Sequence, residues 1–152
     1  MKRVLTALAL LVFASSTVAS AHPPAKKWSA AALADGVATA FAGGDWSALD
    51  TARAYAGKIR VVIENSLSDD NDPDRFVTRS FSSFAAFETW LKSREHDGMP
   101  ARNVSTMTGC AKGTCSFEKD GLLHNHIYLR KVTYGMRGGS AYVKTIYILD
   151  GD

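Results

Sequence analysis

Apolar side chains recur every three or four positions once the first two dozen residues have passed. Leu33, Val37 and Phe41 fall on one face of a helix, Ser29 is a typical residue for its N-cap, and Gly44 is a typical residue for its end. The pattern predicts a helix of about fourteen residues with one buried face.

A second, shorter helix is predicted directly after the first. Asp45 is suited to cap its amino end, and Trp46 begins an apolar stripe that continues to Ala52 or Arg53. We expect this helix to end near Gly57, because glycine commonly follows the last helical turn.

Two strands and a third helix occupy the middle of the chain. "KIRVVIENS" is rich in β-branched residues, a polar loop follows it, and "RFVTRSF" is predicted to return as the second strand of a hairpin. Ser82 or Ser83 then begins a helix that Gly98 and Pro100 end. Its buried stripe consists of Phe84, Phe87 and Leu91, with Trp90 beside it.

The last third of the chain alternates apolar and polar residues, as strands do. The stretches are "RNVSTMTGC" with "TCSFEKDG", then "HNHIYLRKVTYG", then "AYVKTIYILDG". Turn residues separate them, which predicts an antiparallel meander. Helices segregated to one face of a largely antiparallel sheet make an α+β domain.

The order of these elements resembles the nuclear transport factor two-like fold, and "VATAFAGGDWSALDTARAYAGKIRVVIE" is similar to the opening of SnoaL-like members of that superfamily. The resemblance implies a cystatin-like α+β cone, in which a curved antiparallel sheet wraps around three helices. It also implies a pocket between sheet and helices, and a homodimer formed through the sheet. It implies no single function, because this fold hosts isomerases, dehydratases, ligand binders and structural modules.

The amino end has the features of a secretory signal peptide. Lys2 and Arg3 precede an apolar run of about eleven residues, too short to span a membrane, and an A-x-A site ends at Ala21. We expect cleavage before His22, with cleavage after Ala19 as the alternative. Residues 1–21 are then the signal peptide, 22–28 a flexible arm and 29–152 a single domain. The protein is expected to be exported, periplasmic or secreted, and without a membrane anchor.

Removing the signal peptide changes the charge balance. The whole chain has 18 Lys and Arg against 15 Asp and Glu, and two of the basic residues, Lys2 and Arg3, leave with the signal peptide. The remaining 16 basic and 15 acidic residues carry a net charge of +1. Without a run of like charges, nucleic-acid binding lacks its usual electrostatic footprint, and we expect none.

Two cysteines and two histidines lie in one short window. Cys110 and Cys115 have the spacing C-x4-C, whereas His124 and His126 have the spacing H-x-H, which does not match a structural zinc site. Cysteines flanking a four-residue hairpin loop would place their α-carbons about 4.5–5.5 Å apart, within the range of a disulfide. A disulfide is therefore expected, with a redox-active pair or metal thiolates as alternatives. No cofactor and no metal site are predicted.

Six residues are candidates for a ligand pocket: Tyr55, Glu64, His124, His126, Tyr128 and Arg130. On one strand, the last four share a face with Val132 and Tyr134, opposite Ile127 and Leu129. In the pocket, Arg130 would favour a small anionic ligand. The alternative is that this face is exposed to solvent while Ile127 and Leu129 fill the core.

Three functions are compatible with these residues. The expected one is an exported, non-catalytic module that binds a small ligand or another protein. The second is an enzyme acting on a small carbonyl or polycyclic substrate, for which Glu64 would be a base. The favoured interpretation of Glu64, however, is a carboxylate at a strand edge that pairs with a neighbouring residue. The third is a structural module that dimerises through its sheet.

Overall fold

Three helices and seven strands make up the part of the chain that the computed structural model describes, residues 27–65, 68–94, 102–118 and 126–151. The helices are α1 (Ala30–Gly43), α2 (Ser47–Thr51) and α3 (Phe84–Arg94). The strands are β1 (Tyr55–Asn65), β2 (Phe76–Phe81), β3 (Arg102–Asn103), β4 (Met107–Ala111), β5 (Thr114–Phe117), β6 (Ile127–Arg137) and β7 (Ser140–Asp150). The fold is α+β, and the predicted signal peptide lies outside the described residues.

The strands form one mixed sheet in the order β2-β1-β7-β6-β5-β4, with β3 pairing to β6 beside this path. Most pairs are antiparallel, as predicted, including the meander from β4 to β7. Two pairs are parallel, β1 with β7 and β3 with β6. The β1–β7 pair joins the amino-terminal hairpin to the carboxy-terminal meander, so both halves of the chain share one sheet.

The first helix matches its prediction. The Ser29 side chain accepts a hydrogen bond from the Ala32 amide at 3.1 Å, and Gly44 ends the helix with a φ of 75°. Its predicted apolar face is fully buried against the sheet. Trp28, the last residue of the predicted arm, is also buried, and its amide donates to the Ser140 side chain at 2.9 Å.

The second helix is shorter than predicted. It ends at Thr51 and not near Gly57, because Arg53 adopts a positive φ of 46°, which a continuing right-handed helix cannot contain. The Asp45 carboxylate accepts a hydrogen bond from the Ser47 amide at 3.0 Å, so the predicted capping residue does serve the first turn. Arg53 is exposed and lies outside the apolar stripe.

The two faces of the sheet differ in character. The helix face carries the buried residues Ile59, Val61, Ile63, Leu129, Val132, Val143, Ile146 and Ile148, which form one core with the helices. The opposite face, here called the outer face, carries the alternating residues Arg60, Val62, Glu64, Lys131, Thr133, Thr145 and Tyr147. The period-two alternation along β1 creates this division.

The predicted disulfide between Cys110 and Cys115 is present, with α-carbons 4.0 Å apart. The loop it closes is tighter than the four-residue loop expected. Ala111 pairs with Thr114, and only Lys112 and Gly113 form the turn. Both turn residues have positive φ, 48° and 80°, which is the conformation of a type I′ hairpin turn.

Replacing both cysteines with alanine is expected to lower the free energy of unfolding by about 2 kcal/mol without abolishing folding, because the closed loop is short. Denaturant unfolding of the double variant measures this loss. Wild-type protein unfolded with a reductant serves as the control and should lose the same amount. An unchanged midpoint in both experiments would contradict a stabilising bond.

The stretch before the disulfide is not the single strand that was predicted. It divides into β3, which runs parallel to β6, and β4, which pairs with β5, and residues 104–106 between them lie in neither strand. Gly109 in β4 has a φ of 146°, and the β4–β5 register shifts beside it.

Within the described residues, every helix is too short or too polar to cross a bilayer.

Candidate ligand site

A groove on the outer face brings together two of the predicted pocket residues, Glu64 and Arg130. Its volume is about 390 Å³, within the range of small-molecule sites. Strands β1, β2, β5, β6 and β7 all contribute to its walls. The lining residues are Val62, Glu64, Phe76, Ser116, Phe117, Arg130, Lys131, Tyr147 and Ile148.

A β-bulge places two adjacent cations at this groove. Leu129 pairs with Ile148 and Lys131 pairs with Tyr147, so Arg130 is an extra residue without a ladder partner. Because a bulge sets two residues opposite one, Arg130 and Lys131 both reach the groove. Strict alternation, which the sequence suggested, would have sent them to opposite faces.

The same bulge resets the alternation along the rest of β6. Ile127 and Leu129 are buried in the core against the helices, which matches the alternative prediction for this strand. Val132 is also in the core, and Tyr134 packs against the core. Contrary to the sequence prediction, neither residue therefore shares a face with Arg130. Arg130 therefore lies on the outer face, away from the cavity beneath the helices.

Glu64 is half-buried and already has a cationic partner. Arg75 donates to its carboxylate at 2.9 Å and also pairs with Asp70, and the Arg75 guanidinium lies 5.4 Å from the centre of the Phe76 ring. This ion pair compensates the negative charge in the groove. Within the described residues, the guanidinium of Arg130 makes no hydrogen bond or ion pair.

Lys131 and Tyr147 also line the groove, and neither was among the predicted site residues. The Lys131 ammonium lies 4.2 Å from the centre of the Tyr147 ring, which is a cation–π contact. The adjacent Arg130-Lys131 pair is the signal that sequence reasoning missed. Two neighbouring cations in a strand with a buried face are compatible with regular alternation only if one of them enters the core.

The remaining pocket candidates lie elsewhere. Tyr55 begins β1 and packs edge-on against Phe84 at 5.4 Å, and Tyr128 is buried. His126 hydrogen-bonds through its Nδ1 to the Asn103 side chain at 3.1 Å, which links β3 to the start of β6. His124 lies outside the described residues. The structure therefore unites Glu64 and Arg130 and leaves the other described candidates outside that groove.

A smaller cavity of about 180 Å³ lies between α3 and the strands β1 and β2, on the face where the family resemblance places a pocket. Trp90 and Arg79 meet there in a cation–π contact of 5.8 Å. Arg94 pairs with Asp150 at 2.7 Å across the same cavity. None of the predicted pocket residues lines it.

A buried ionic network joins α1, α3 and Trp46, the residue before α2, to β3. Arg102 contacts both carboxylate oxygens of Glu88, at 2.7 and 2.9 Å, and donates to the carbonyl of Phe41 at 3.3 Å. The Trp46 indole donates to the same carboxylate at 2.8 Å. Burial acts to raise the pKa of Glu88, but these hydrogen bonds and the charges of Arg102 and Lys92 outweigh it, so the pKa lies below its usual value.

Metal chemistry has no candidate site in the described ranges, where no three His, Cys, Asp or Glu side chains converge. Comparisons with known proteins found no match to any family model, curated protein or solved structure. The chemistry of the outer groove must therefore be read from its own residues.

Proposed function

We propose that the protein is an exported, non-catalytic binding module that holds a small organic anion in the outer groove. The observation that carries the proposal is the β-bulge at Arg130, which puts two adjacent cations beside an aromatic wall. Glu64, the acidic residue of the groove, is already paired with Arg75. The groove therefore has a surplus of positive charge that an anion can neutralise.

The walls indicate what the rest of the ligand is like. Val62, Tyr147 and Phe76, which is 57% exposed, give the groove apolar surface next to its cations. A ligand that combines a flat apolar body with one carboxylate would bury the first against these residues and pair the second with Arg130. Sites of this size commonly bind by such a combination of apolar walls and few polar anchors.

Compartment and family membership belong to the same proposal. The disulfide supports export, because such bonds persist in oxidising compartments. The element order and the placement of the helices on one face of the sheet support membership of the nuclear transport factor two-like superfamily and its cone.

The two other functions receive less support. An isomerase-like base needs a carboxylate that is free to accept a proton, whereas Glu64 is held by Arg75. A dimer through the sheet would be favoured by an apolar outer face, whereas Arg60, Lys131 and Lys144 are exposed there.

Arg130→Ala is expected to weaken binding of 2-naphthoate by about 1.5–3 kcal/mol, or about 10- to 150-fold, the usual value of a hydrogen bond to a charged group. Isothermal titration calorimetry with purified protein measures the dissociation constant.

The matched control is Arg60→Ala, which removes an exposed arginine of the outer face that does not line the groove. Affinity in this variant should be unchanged, and the neutral analogue 2-naphthalenemethanol should bind far more weakly than the acid. Equal losses in both variants, or no binding of 2-naphthoate by the wild type, would refute the proposal.

A further inference from the structure

We propose that the outer face beyond the groove binds an extended acidic polysaccharide, with the groove as one end of the binding surface. The surface, here called the basic face, runs along β7 from Tyr142 to Tyr147. This proposal rests on the proposed function only where the basic face meets the groove, at Tyr147. The other end of the basic face, around Tyr142, lies outside the groove.

Charge is segregated on this face. Arg60, Lys131 and Lys144 are exposed there, and Arg130 joins them at the bulge. Among the described outer-face positions of the strands, Glu64 is the acidic residue, and Arg75 neutralises it. Clustered cations without matching acids repel one another, and a polyanion lying across them relieves that repulsion.

Two tyrosine–cation pairs mark the ends of the basic face. Tyr147 is paired with Lys131 at 4.2 Å, and Tyr142 is paired with Arg137 at 5.3 Å. The two tyrosines are five positions apart in β7, which is at most about 17 Å at 3.3 Å per residue. This length suits several units of a polymer better than one small molecule.

Gly135 allows the second pair to form. A Cβ atom at this position would lie 2.6 Å from the Tyr142 ring and 2.9 Å from Cε of Lys144, so both side chains occupy the space above the glycine. Residue 135 pairs directly with Tyr142 in the β6–β7 ladder. The missing side chain therefore lets an aromatic ring and a lysine settle together against the sheet.

The rings are arranged for sugar acids better than for nucleic-acid bases. Bases bind single-strand sites by stacking on open aromatic faces. Here the Lys131 ammonium lies over the Tyr147 ring and the Arg137 guanidinium over the Tyr142 ring, and the hydroxyl end of Tyr142 lies above the backbone of Gly135. A cation therefore already covers part of each ring, which leaves less aromatic surface for a base to stack on, while the cations themselves can pair with the carboxylates of sugar acids.

The test uses hexagalacturonate, the uncharged maltohexaose and a hexathymidylate oligonucleotide, titrated into the full-length exported protein by calorimetry. Hexagalacturonate is expected to bind, more weakly as salt rises, and maltohexaose is not. Lys144→Gln should weaken the hexamer by about tenfold, as expected for loss of a charged hydrogen bond, while 2-naphthoate binding stays unchanged.

Lys112→Gln is the matched control, because Lys112 is an exposed lysine at the β4–β5 turn, away from the basic face. It should leave hexamer binding unaltered. Hexathymidylate binding as tight as the hexauronate would overturn the assignment to polysaccharide, as would equal effects of the two lysine substitutions. Loss of 2-naphthoate binding alone would refute the groove and leave the basic face standing.

Discussion

Phe87→Ala is expected to lower the free energy of unfolding by about 3–5 kcal/mol, one of the two largest effects we predict. The Phe87 side chain is completely buried, and its ring meets those of Trp46, Phe81 and Trp90 at centroid distances of 5.4, 5.3 and 6.0 Å. Since these rings come from distant parts of the chain, before α2, in β2 and in α3, their packing cannot easily close the cavity that alanine would leave.

Chemical denaturation at equilibrium measures this loss, and Phe76→Ala is its matched control. Phe76 is 57% exposed, so the same substitution there should change stability by no more than about 0.5 kcal/mol. If the two variants unfolded at the same denaturant concentration, α3 would not be packed as the structure has it.

Local patterns predicted most of the elements because burial in this fold follows simple periodicity. The apolar face of α1 and the stripe of α3 repeat every three to four residues, and both are buried as predicted. The hairpin of β1 and β2 was also predicted correctly, because two stretches of β-branched residues joined by a polar loop are typical of a hairpin. Each of these features is encoded within about a dozen neighbouring residues.

Pairings between distant segments left no comparable signal. The parallel pairing of β1 with β7 joins residues some 85 positions apart, for example Glu64 and Leu149, and nothing in either strand specifies the direction of its neighbour. The bulge at Arg130 is similar, because an extra residue in one strand is defined by its partner. The sequence therefore indicated two residues that line the groove, Glu64 and Arg130, but not the face of the sheet on which the groove lies.

The buried network around Glu88 was also invisible in the sequence. Glu88 looks like an ordinary polar residue of an amphipathic helix, with Lys92 one turn later as its evident partner. In the structure, Lys92 is only a peripheral contact at 3.7 Å, and Arg102 is the main partner. That assignment required knowing that β3 passes close enough to α1 and α3 for Arg102 to reach both Phe41 and Glu88.

Removing this carboxylate is expected to cost as much as removing Phe87. Glu88→Ala removes the buried carboxylate to which both Arg102 and the Trp46 indole donate, which should lower the free energy of unfolding by about 3–5 kcal/mol. Glu64→Ala is the matched control. Its pair with Arg75 is half-exposed, so the loss there should be about 0–1 kcal/mol.

The pH dependence of unfolding distinguishes this ionic role from simple packing. Because the pKa of Glu88 is lower in the folded protein than in the unfolded chain, its contribution is fully present above the unfolded value of about 4.3 and is lost as the pH falls through the folded pKa. Glu88→Gln keeps the shape of the side chain but removes the titrating group. The stability difference between wild type and this variant should therefore be largest near neutral pH and shrink in acid, whereas a difference that is constant from pH 7 to pH 3 would mean that the Glu88 charge does not stabilise the fold.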